Sequence, residues 1–245
     1  MTVGMGMNVT TPPFDNPLVR QAVGYAVDRE RLIEQANSGV GDPTDLWWGD
    51  TTPGWSQDLS THYSYDPAKA KSMVEEAGAV GADVPLIFPT SAQYMSYYNI
   101  IADGLKAAGL NPSAQQLELN EAVSRLLRGD LGPSYLFYGA TSDVSPTTTM
   151  ASAPIFKTGD DSPQHFDDPE YDTLVAAVQD ATNDDELAAA TAAVTEYVLD
   201  TSFNQAFVTV PTTTAISDKV DPTDPDALVF TSKGAFTGLG IKPSK

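Results

Sequence analysis

His62 and His165 are the only histidines in the chain, so a serine-type hydrolytic centre must draw its general base from one of them. His165 has the better neighbourhood, with Ser162 before it and Asp167 and Asp168 after it. Ser162 as nucleophile, His165 as base and Asp167 as orienting carboxylate form one reading of this segment, a serine-type ester hydrolase. A surface histidine ahead of a helix cap is the other reading, and it is favoured because no Gly-x-Ser-x-Gly elbow occurs. His165, Asp167 and Asp168 would offer a metal only neighbouring ligands with no second cluster, and Asp218 to Asp226 lacks the glycine and closing Glu of a calcium loop. No metal and no cofactor is expected.

Recognition chemistry is better supplied than catalysis. Trp47, Trp48 and Trp55 lie in a Gly/Pro-rich stretch from Gly39 to His62 that has no apolar periodicity and reads as a long ordered loop. Aromatic walls of this kind line apolar ligand sites, so Trp47 and Trp48 are candidate ligand-binding residues, the alternative being that they pack the loop onto the domain. Tyr138, at the end of the apolar run Tyr135 to Tyr138, is a further candidate. Tyr94, Tyr97 and Tyr98 share one predicted helix, on which Tyr98 falls on the core face.

Composition narrows the partners. The 245 residues hold 33 Asp and Glu against 13 Lys and Arg, a net charge of −20. Phosphate backbones and anionic membrane surfaces are recognised by clustered cations, and none cluster here, so nucleic acid and direct membrane insertion are not expected. Without cysteine there is no disulfide, thiolate nucleophile or Cys-ligated metal. No apolar run is long enough to span a bilayer, and Met1 to Gly4 lacks the basic flank and apolar core of a signal peptide.

The elements that must position these side chains alternate between strand and helix. Gly4 to Thr10 reads as a strand, and Pro17 to Ala36 as a helix capped by Asn16. Asp66-Pro67 opens a second helix that stops at Gly78. Val84 to Phe88, a helix ending at Gly109, and Ser113 to Leu117 predict a βαβ unit. A short helix from Glu121 to Arg128 precedes the strand Tyr135 to Tyr138, after which an irregular stretch runs to Gln164. Helices start at Asp168-Pro169 and at Asn183, where Glu186 completes a capping box. Strands are predicted at Ala206 to Val210 and Ala227 to Phe230, and no linker divides the chain. The expectation is a single α/β domain over 1–245, a mixed sheet with flanking helices.

The run Asn8 to Asn16, with Pro12-Pro13-Phe14-Asp15, followed by Val19-Arg20-Gln21-Ala22 and Tyr25-Ala26-Val27-Asp28-Arg29, resembles family 5 extracellular solute-binding proteins of ABC importers. The resemblance continues through Gly39 to Pro43 and through Tyr65-Asp66-Pro67 to Gly78, and more loosely to Val210. It implies one lobe of a type II periplasmic-binding-protein-like fold, specifically the second lobe without the first. It further implies a peptide-like small-molecule ligand, an ABC permease as partner of the full-length protein, and an extracytoplasmic location. Asp143 stands where peptide-binding relatives carry an acidic residue able to pair with the ligand's α-amino group. This chain departs from them in lacking the usual Trp and the Asp-Pro that follow.

Overall fold

A computed structural model of the chain describes residues 1–140, 146–159, 162–211, 229–230 and 236–237, with the backbone alone at 138–140, 151–152, 229–230 and 236–237. Met1–Val210 forms one compact unit and Pro211–Lys245 a second, where the sequence pattern predicts one domain.

In the first unit the elements run β1 (Thr2–Met7), α1 (Pro17–Ala26), α2 (Arg29–Arg31) with a π-helical turn Leu32–Ala36, β2 (Asp42–Pro43), α3 (Gln57–Ser60), α4 (Pro67–Glu76), β3 (Asp83–Pro89), α5 (Ala92–Ala107) and β4 (Asn111–Leu117). They continue with α6 (Leu119–Leu127), β5 (Ser134–Ala140), α7 (Pro146–Ser152), a 3-10 turn Pro154–Phe156, α8 (Pro169–Asp180), α9 (Asp184–Thr201) and β6 (Asn204–Thr209). In the second unit β7 (Val229–Phe230) pairs antiparallel with β8 (Phe236–Thr237). Asp218 to Asp226 lies outside the described residues.

Six strands form one mixed sheet in the order β2-β6-β1-β5-β3-β4. β1 runs antiparallel to both β5 and β6, while β3 is parallel to β4 and to β5. The predicted βαβ unit is therefore β3-α5-β4. Both faces of the sheet are buried. On one, Val3, Met5 and Met7 of β1, Leu86 and Phe88 of β3 and Leu136 of β5 meet Val23 of α1, Val74 of α4 and Ile101 and Leu105 of α5. On the other, Tyr135, Ile87 and Ala206 meet Trp47, Phe156, Tyr171, Val194 and Phe203.

The cap signals in the sequence act as expected. The side chains of Asn16, Asp66 and Asp168 accept from Leu18 N, Lys69 N and Glu170 N, and a proline opens each helix behind them. Gly78 closes the α4 turn with φ 66°, a left-handed conformation that favours glycine. Asn183 accepts from Glu186 N, but the Glu186 carboxylate reaches back to the N–H and hydroxyl of Thr182, one residue beyond the expected capping-box donor.

Two expectations are corrected. The helix predicted over Pro17 to Ala36 breaks after Ala26, because Val27 turns extended and the Asp28 carboxylate accepts from Arg31 N to start a new helix. Arg29 makes the break tolerable by donating to the otherwise unpaired carbonyls of Gly24 and Val27. On α5 Tyr98 packs half-buried against the core residue Phe88, on the expected face, and Tyr97 is the fully buried tyrosine, 1% exposed. The irregular stretch before Gln164 contains α7 and the 3-10 turn, whose Ser/Thr-rich sequence carries no apolar periodicity to announce them.

Candidate functional site

The loop carrying Trp47 and Trp48 is fixed from three sides. Thr44 N–H donates to the Phe207 carbonyl of β6, and the Thr44 hydroxyl caps Leu46 N. The adjacent Asp45 carboxylate is buried, paired with the Arg29 guanidinium, and accepts from Tyr63 N at 2.7 Å. Burial pulls Arg29 below its ordinary pKa and pushes Asp45 above its own, while their mutual attraction and the Tyr63 N–H act the other way. A guanidinium holds its proton at neutral pH, so the Asp45 carboxyl faces a buried positive charge. Tyr63 in turn donates to the Leu199 carbonyl, which ties the loop to the end of α9.

Held this way, Trp47 lies on the sheet. Its ring covers Gly4, meets Phe137 at 6.1 Å between centroids and meets Phe156 at 6.0 Å. Trp48 lies against the same Phe156 at 6.1 Å. The two predicted residues are thus brought together on one aromatic partner, but both are buried, at 1% and 3% exposure. Neither indole N–H has a hydrogen-bond partner among the described residues. Unpaired buried donors are uncommon, and each costs free energy that a bound acceptor would recover.

The opposite support of Phe156 went unread in the sequence. Gln164, fully buried, donates to the Tyr135 hydroxyl at 2.7 Å and to the Ile155 carbonyl at 3.1 Å, and Asn204 donates to the same carbonyl at 3.2 Å. These bonds clamp the Ile155-Phe156 turn onto β5 and β6. Burial raises the Tyr135 hydroxyl far above its ordinary value, against the Gln164 bond, and keeps it neutral.

The hydrolytic candidates separate. Ser162 is fully buried, with its hydroxyl accepting from Phe166 N, whereas the His165 and Asp167 side chains are exposed. Among the described residues no group of three or more His, Asp or Glu side chains is placed to hold a metal. Asp143 lies outside the described residues. Tyr138 is described by its backbone, which pairs with Val3 next to the Trp47 contact Phe137.

The model of bacterial extracellular solute-binding proteins, family 5 (middle), matches residues 1–163. The chain belongs to this family. Among curated relatives, the glutathione-binding protein GsiB of Pectobacterium atrosepticum is 43% identical over 75 residues, 30% of this chain and 14% of that one. GsiB of Escherichia coli (strain K12) is 40% identical over 75 residues, again 30% and 14%. Among solved structures, the dipeptide binding protein from Pseudoalteromonas sp. SM9913 in complex with Met-Leu superposes with a TM-score of 0.79 at 20% identity, over 99% of this chain and 48% of that one. The Escherichia coli murein tripeptide binding protein MppA gives 0.71 at 18% identity, over 85% and 42%. The fold of this family 5 chain is therefore that of a periplasmic-binding-protein lobe, and the chain spans about half the length of the solved structures it matches. Among its described residues no helix is long and apolar enough to cross a membrane.

Proposed function

We propose that the chain is the second lobe of a solute-binding protein for ABC-importer uptake and supplies one wall of a cleft that closes on a peptide-like small molecule. The observation that carries the reading is the Trp47-Trp48 pair, two buried indole donors unpaired among the described residues, beside β5, the strand that carries Tyr138. In open α/β sheets, ligands sit beyond the carboxyl ends of the strands. Asp143 follows the carboxyl end of β5, where its carboxylate would take the ligand's ammonium group. Family membership over residues 1–163 supports the extracytoplasmic binding role, and the names of the relatives, glutathione-binding and dipeptide-binding, make short peptides the ligand class to try. Closure of two walls on the ligand would be the signal read by the permease.

Calorimetric titration with glutathione and with Met-Leu tests this. The expected result is weak binding to the chain alone that falls further in D143N. Equal binding by the chain and D143N, or binding as tight as that of a two-lobed relative, would overturn the reading.

A further inference from the structure

We propose that a binding site for one ordered water lies between the Tyr135 hydroxyl and Oδ1 of Asn204, the water accepting from the first and donating to the second. The strand register brings these two side chains to one rung of the sheet. Gly6 of β1 pairs with Tyr135 of β5 on one side and with Asn204 of β6 on the other. The Tyr135 ring lies across the space that a side chain at Gly6 would fill, its hydroxyl oxygen 2.5 Å from where the Cβ would stand. Directly paired residues on one face of an antiparallel sheet carry their Cβ atoms about 4.5–5.5 Å apart, so this tilt delivers the hydroxyl beside Asn204.

Each group has one hydrogen bond left to make. Gln164 Nε2 donates to the Tyr135 oxygen at 2.7 Å, which uses the hydroxyl as an acceptor and leaves its own proton without an acceptor among the described residues. Burial keeps that proton on the phenol. Asn204 donates through Nδ2 to the Ile155 carbonyl at 3.2 Å, and its buried Oδ1 has no partner among the described residues. Exchanging the two atoms of that amide would set an oxygen against the Ile155 carbonyl, so the unpaired atom is an acceptor. Both residues are closed to bulk solvent, Tyr135 at 1% and Asn204 at 2% exposure. A buried donor and a buried acceptor that stand side by side without bonding each other suit a molecule that accepts one hydrogen bond and gives another. Water does both. A cation would meet the hydroxyl proton and an anion the amide oxygen, so neither charge fits. The water closes a ring through Tyr135, Gln164, Ile155 and Asn204, and so joins β5 and β6 to the turn whose Phe156 touches both Trp47 and Trp48. This site is independent of the ligand reading.

A crystal structure of the chain at a resolution that shows ordered water tests it. The expected result is a water oxygen at hydrogen-bond distance, about 2.5–3.2 Å, from both Tyr135 Oη and Asn204 Oδ1. Magnetic relaxation dispersion of water nuclei, which counts long-lived buried waters in solution, should fall by one water in N204L, where a side chain of similar shape offers no acceptor. Should N204L fail to fold, the crystal structure of the native chain decides alone. No water between the two groups, a Tyr135 hydroxyl bonded directly to Asn204 Oδ1, or an unchanged count in folded N204L would each overturn the proposal.

Discussion

The ring of Trp47 occupies the space a side chain at Gly4 would need: a Cβ there would lie 2.4 Å from Cη2 of Trp47 and 2.3 Å from the Gln205 carbonyl oxygen. Two residues on, a Cβ at Gly6 would lie 2.3 Å from Cζ of Tyr135. Strand β1 therefore sends Val3, Met5 and Met7 into one core and keeps the other face bare so that aromatic rings can lie on it. G4A and G6A should each destabilise the fold by about 1–3 kcal/mol or more, because backbone and rings flank the added methyl. Urea unfolding measures this, and a shift in Trp emission should accompany G4A. G78A, where nothing lies within 4 Å of the added Cβ, should cost only the left-handed backbone penalty of about 1 kcal/mol.

The Arg29-Asp45 pair predicts a different pattern. D45A strands a buried guanidinium and frees the loop that carries Trp47 and Trp48, so a loss of about 3–5 kcal/mol is expected in denaturant unfolding. Replacing both partners by apolar residues, R29M with D45L, should recover much of it, since no charge is then left buried. Recovery is limited by the carbonyls of Gly24 and Val27, which Arg29 also satisfies.

That pair also marks the limit of what sequence alone could show. Caps and stops at Asn16, Asp66, Gly78 and Asp168 are local chemistry, legible from neighbouring residues, and so were the strands of the β3-α5-β4 unit. Arg29 and Asp45 are separated by 16 positions, and nothing in either residue's surroundings says that they meet. The same holds for Gln164, whose partners Tyr135 and Ile155 are set by the fold of an aperiodic segment. The break after Ala26 was hidden because the apolar spacing of the helix continues past it while Asp28, read as a helical residue, is a cap. In the site, Trp47 and Trp48 were recognised by type, and their shared contact with Phe156 was not.

The α8 cap should be acid-sensitive. The hydroxyl of Tyr197 donates to the Asp168 carboxylate at 2.6 Å and Glu170 N donates at 2.9 Å, and these two bonds hold Asp168 below its ordinary value of 3.8. A carboxylate whose folded pKa is depressed adds stability that is present above its unfolded pKa and is lost as pH falls through the folded value. Thermal melts should therefore show D168N less stable than the native chain at neutral pH, with the difference shrinking once the pH drops below about 4. A difference that stays constant down to strongly acid pH would exclude this origin.

Trp48 separates stability from affinity. Its indole N–H makes no hydrogen bond among the described residues, so W48F removes none of the described bonds and should change stability chiefly by the ring area lost from the contact with Phe156. Y135F is the contrast: it deletes the acceptor of Gln164, a buried donor, and should cost about 1–3 kcal/mol in unfolding. If a bound peptide supplies the missing acceptor to Trp48, the ligand titration should reverse this order. W48F would then lose about five- to tenfold in affinity, the worth of one hydrogen bond at about 1 kcal/mol or slightly more, while Y135F, corrected for its folded fraction, would lose little. Equal affinity of W48F and the native chain would remove that indole from the ligand wall and leave it as packing for the loop.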